Sequence, residues 1–82
     1  MTVKGYLNFM GSGNMNLIIY DLGRDGYLYD GKLNLFDELE IGRHEEDFKN
    51  LLMEEMISHD YNPVKNRIYI VVDAGLRWCV DG

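Results

Sequence analysis

Along the stretch "MTVKGYLNFM", polar and apolar residues take turns. Val3, Leu7 and Phe9 fall on one side, and Lys4, Tyr6 and Asn8 on the other. A repeat of two predicts a β-strand over 3–10. "GSGN" at 11–14 supplies residues that tolerate positive φ, as a tight reversal requires. The next run, "MNLIIYD" at 15–21, turns Met15, Leu17 and Ile19 inward, so the two runs make a predicted hairpin. "GRDG" at 23–26 is a second turn, with Gly26 expected in the left-handed position. "YLYD" at 27–30 is then a short third strand, closed by Gly31.

The pattern loosens in "KLNLFDELEIG", 32–42. Asn34 followed by Asp37 resembles a helix start, yet Leu33, Leu35, Leu39 and Ile41 also read in alternation. The stretch predicts one short helical turn. Beyond Gly42, Phe48, Leu52 and Met56 recur every four residues with Leu51 beside them. That is the apolar stripe of an amphipathic helix over 44–59. Glu45, Glu46 and Asp47 in its first turn and His59 at its end suit the helix dipole. Asn62 before Pro63 stops it. "NRIYIVVDAGLRWCV" at 66–80 reads as a closing hairpin. Ile68, Ile70 and Val72 alternate, Gly75 turns in the left-handed region, and Leu76, Trp78 and Val80 alternate on the return. The order is β-β-β-(short α)-α-β-β over residues 1–82. It predicts a single α+β domain, an antiparallel sheet of about five strands with one amphipathic helix packed on one face.

Composition narrows the class. At 82 residues and 46% apolar, the chain is one small ordered domain. Its longest apolar run, Ile68–Val72, falls far short of the ~20 residues that span a bilayer. No charged region leads into an apolar one at the start, so no signal peptide is expected. The lone Cys79 forms no intrachain disulfide and is expected as a small sheet residue in a cytoplasmic protein.

Charge adds a direction. The net charge is −6, and residues 21–60 hold twelve acids against four bases. Such a field repels nucleic acid and anionic membrane and attracts basic surfaces.

Each stretch that could carry chemistry also has a plainer reading. The run "HEEDFKNLLMEEMISHD", 44–60, has a histidine near each end. On one helix these lie about 22 Å apart, too far to share an ion. Asp47 and Glu54 share a face, and a solvated helix side explains the run better than metal chemistry. "DLGRDGYLYDGK" at 21–32 imitates the start of a calcium loop, but Gly23 and Lys32 stand where oxygen ligands belong. A β-turn accounts for the same residues. "GSG" lacks the lysine and spacing of a phosphate loop. No catalytic constellation, metal set or cofactor motif emerges, and no enzyme is expected.

Two binding features stand out. The acidic surface comprises Asp25, Asp30, Asp37, Glu38, Glu40, Glu46, Asp47 and Glu54. The aromatic set, Tyr6, Tyr20, Tyr29 and Tyr69, falls on strand positions facing away from the apolar side, with Tyr27 close by. Tyrosines suit strands on their own account, but an uncovered row of them also makes a protein-binding face. The expectation is a small acidic binding module. It would dock on a basic partner such as a nuclease or another nucleic-acid-binding protein and inhibit it by placing carboxylates where phosphates would lie. In size and acidity the chain is similar in general character to phage-encoded inhibitors, anti-CRISPR proteins among them. The alternatives are an antitoxin- or immunity-like partner, or a homodimer built on the tyrosine face.

Overall fold

The computed structural model describes residues 1–10, 14–38 and 45–75. The elements run α1 (Val3–Met10), β1 (Asn16–Asp21), β2 (Gly26–Lys32), a 3-10 helix (Leu33–Glu38), α2 (Glu45–Met53), β3 (Ser58–Asn62) and β4 (Arg67–Val72). Among the described residues the fold is α+β, with two α-helices and a mixed four-stranded sheet in the order β2-β1-β4-β3. The expected antiparallel five-strand sheet is thus corrected in strand count and direction, and the single helix becomes two. The return strand expected at 76–80 lies outside the described residues, as do residues 11–13 and 39–44.

The first stretch is a helix and not a strand. Val3, Tyr6, Leu7 and Met10 also follow the i, i+3, i+4, i+7 spacing of a helix stripe. Val3, Tyr6 and Leu7 are buried while Phe9 is 78% exposed, which the alternating pattern would forbid. Thr2 caps the helix: its Oγ1 accepts from Gly5 N at 3.1 Å, and its carbonyl accepts from Tyr6 N at 3.0 Å.

The helix expected over 44–59 ends at Met53. From there the backbone finds partners elsewhere. Val3 N donates to the Glu54 carbonyl, Met56 N to the Met1 carbonyl and Ile57 N to the Val71 carbonyl. Pairing with the N-terminus and the sheet replaces another turn and a half of helix, so His59 sits on a strand.

Two hairpins meet through their inner strands. β1 pairs antiparallel with β2, β3 antiparallel with β4, and β1 parallel with β4. Both inner strands are rich in apolar residues, as strands flanked on either side tend to be. Leu17, Ile19, Ile68, Ile70 and Val72 are fully buried on one face under α1 and α2, packed with Leu28, Phe36, Phe48 and Leu51. A register shift beside Ile19 and Tyr20 makes β2 bulge, and both Leu28 and Tyr29 are buried as a result.

The turns differ in detail from expectation. In the β1–β2 turn Asp25, not Gly26, has the positive φ, at 53°. Aspartate tolerates that region better than most residues. The β3–β4 turn holds Pro63. Asn62 Oδ1 accepts from Val64 N and Lys65 N, both at 3.1 Å, and Asn66 takes φ 51°. Gly75 has φ 66°, as its place after Asp73-Ala74 suggested.

One buried acid joins the two hairpins. Asp21 is fully buried, and its Oδ1 accepts from Gly23 N at 3.0 Å, Ala74 N at 2.9 Å and Gly75 N at 3.1 Å. Gly23 packs so closely here that a Cβ on it would lie 2.6 Å from Gly75 N.

Candidate functional site

The helices cover one face of the sheet. Among the described residues, no helix or strand covers the other. Strand register lays that open face out in three rows. The first is Lys32, Asn16, Arg67, Asn62; the second is Asp30, Ile18, Tyr69, Asp60; the third is Tyr27, Tyr20, Val71, Ser58. Ile18, Tyr20, Tyr27, Tyr69 and Val71 are partly buried, while Asp30 and Asp60 stand exposed at opposite edges.

The tyrosines hold one another. Tyr20 and Tyr27 meet edge to face, with ring centroids 5.2 Å apart at 73°. The Tyr20 hydroxyl donates to Asp25 Oδ1 in the adjoining turn. That bond, which ionisation would break, pushes the Tyr20 phenol up to about 12. Tyr69 is raised as well. Burial contributes most, followed by Tyr27 through charge and a hydrogen bond, with Arg67 opposing. Tyr20 and Tyr69 therefore meet a neutral-pH partner as phenols, offering π-faces and hydroxyl groups.

Charge is sorted by row. Lys32 and Arg67 occupy the first row; the second and third carry Asp30 and Asp60 and no cation. Arg24 and Asp25 both stand in the turn beyond the third row. Neither Asp30 nor Asp60 forms an ion pair with any described residue; the salt bridge that is present joins the N-terminal amine to Glu55 at 2.8 Å.

The expected site residues divide between the layers. Tyr20 and Tyr69 lie on the open face, with Asp25 and Asp30 at its margin. Tyr6 is instead buried in α1, its ring 4.6 Å from that of His59. Tyr29 is buried by the bulge; its hydroxyl donates to the Lys32 carbonyl at 2.7 Å and its ring meets Phe36 edge-on at 5.0 Å. Neither is a surface tyrosine.

Among the acids, Glu46 is exposed on α2, in the opposite layer from Asp30, and Glu54 is partly buried just past that helix. Asp37 and Glu38 fall at the end of the 3-10 helix and Asp47 within α2. Glu40 lies outside the described residues. Asp30 and Glu46 therefore do not share one acidic surface. The calcium-like stretch also comes apart. Asp21 points into the core, Asp25 into the turn and Asp30 to the open face.

Sequence reasoning missed Ile18, Val71 and Asp60 as members of this face. Alternation in "NLIIYD" marks Ile18 as outward with Tyr20. Asp60 is hidden by the helix stripe running on through Met56.

Elsewhere, an open cleft of about 400 Å³ between α1 and α2 is lined by Lys4, Phe48, Lys49, Leu52 and Met53. Among the described residues no three metal-ligating side chains cluster, and no helix is long and apolar enough to cross a membrane. The chain matches no protein-family model, no curated protein and no solved structure.

Proposed function

We propose that the chain is a protein-binding module that docks through its open sheet face onto a partner bearing basic side chains. The observation that carries this reading is the Tyr20–Tyr27–Tyr69 cluster beside Asp30 and Asp60, which form no ion pair with any described residue, on a face that no described helix or strand covers. Interlocked tyrosines give large contact area and lose little rotamer freedom on binding. Flanking carboxylates and a net charge of −6 favour a cationic counterpart. In its sharper form the partner is a nucleic-acid-binding protein, such as a nuclease, that the chain inhibits in the manner of phage-encoded inhibitors. The small size and acidity support that form.

The test is capture with immobilised chain, comparing wild type with Tyr20→Ala/Tyr69→Ala and with Glu46→Lys on the opposite layer. The proposal expects a basic protein to be retained by wild type and by Glu46→Lys, released by salt, and lost with the tyrosine pair. Retention unaffected by the tyrosine pair, or abolished by Glu46→Lys alone, would place docking on the helix layer and overturn the proposal.

A further inference from the structure

The open face distinguishes between the two kinds of basic side chain that could meet it, and this inference rests on the docking reading above. Tyr69 and Asp60 are directly paired across β4 and β3, so both side chains leave the same face. Directly opposed residues in an antiparallel pair have Cβ atoms about 5 Å apart. An aromatic ring and a carboxylate at that spacing lie within reach of one bound cation.

A guanidinium suits that arrangement. It is planar, weakly hydrated and stacks on tyrosine while its edge forks onto a carboxylate. An ammonium also lies over aromatic rings, but it is a compact, strongly hydrated point charge with no planar fork to stack and bridge together. Asp60 is exposed and its charge is felt at the Tyr6 phenol of α1, but it forms no ion pair with any described residue, Arg67 included. At the other end of the same row stands Asp30, three strand spacings or about 14 Å away. Asp30 is likewise exposed and unpaired among the described residues. Between the two, Ile18 and Tyr69 offer a partly apolar floor.

We infer that the partner meets this face with arginine and not lysine, one guanidinium stacking on Tyr69 and pairing with Asp60. Asp30 then receives a second basic group about 14 Å away along the row.

The test titrates the full chain into fluorescently labelled nonapeptides of arginine and of lysine at physiological salt, read by anisotropy. The arginine peptide should bind about tenfold more tightly, since lysine keeps a point-charge contact but not planar stacking or a forked ion pair. The preference should vanish in Tyr69→Ala and in Asp60→Asn. It should persist in Tyr69→Phe, which keeps the ring, and in Glu46→Lys, which lies on the other layer. Equal affinity for the two peptides would overturn the arginine inference and leave the basic-partner reading standing. Binding of neither peptide would overturn both. An arginine preference that survives Tyr69→Ala and Asp60→Asn would place the guanidinium elsewhere and overturn the inference alone.

Discussion

Replacing Asp21 with alanine should cost about 3 kcal/mol of folding stability, because one buried oxygen serves three backbone donors. Gly23 N, Ala74 N and Gly75 N all donate to Asp21 Oδ1 at 2.9–3.1 Å. Hydrogen bonds to a charged acceptor contribute roughly 1.5–3 kcal/mol each, and three on one atom do not add fully. Water entering the space recovers part of the loss, which sets the total near the size of one or two such bonds. A domain of this length has roughly 4–12 kcal/mol to lose. The consequence is local as well as global, since the contact ties the β1–β2 turn to the end of β4. The assay is urea unfolding followed by circular dichroism, with a thermal melt beside it. At about 4–8 °C per kcal/mol for a chain this size, the melting temperature should fall by about 15 °C. Asp21→Asn, which keeps an oxygen acceptor, should cost less than half as much. A midpoint for Asp21→Ala within about 0.5 kcal/mol of wild type, the range of ordinary surface changes, would refute the clamp.

Other contacts in the fold give further expected outcomes. Gly23→Ala should destabilise by about 2 kcal/mol, because its Cβ would stand 2.6 Å from Gly75 N and 2.8 Å from Gly75 Cα, both backbone atoms. In a double-mutant cycle with Asp21→Ala the two losses should fall short of their sum. Thr2→Ala should cost about 1 kcal/mol by removing the cap of α1, and Thr2→Ser should restore it. Asp25→Asn should bring the Tyr20 phenol down from about 12 toward its ordinary value of 10.0, seen as one tyrosine ionising earlier in an ultraviolet titration. Because the folded value is raised, the stabilisation from this bond is present below pH 10 and is lost as pH climbs through about 12.

How far the sequence disclosed this fold depends on which interactions decide each element. β1 and β4 were legible because period-2 alternation in "NLIIYD" and "RIYIVV" reflects one buried face, and the fold keeps that face. The first element was misread because Val3 and Leu7 satisfy both periods. Thr2 as cap and Tyr6 as a buried aromatic break the tie, and only the first can be read from sequence. The end of α2 was illegible for a different reason. Met56 continues the apolar stripe and does pack against the core, but from an extended segment paired with the N-terminus. That competition between helix and distant backbone partners leaves no local mark. The parallel pairing of β1 with β4 is likewise non-local. It brings Tyr69 beside Ile18 and so assembles the face from residues fifty positions apart. Tyr29 was lost to the core by a bulge that strict alternation does not anticipate.

The most direct measurement is an amide-resolved nuclear magnetic resonance titration of the labelled chain with the arginine nonapeptide. If the uncovered side of the sheet is where a partner sits, the largest shifts fall at Ile18, Asp30, Asp60 and Tyr69. Shifts confined to α2, around Glu46, with the strand amides unmoved, would contradict it.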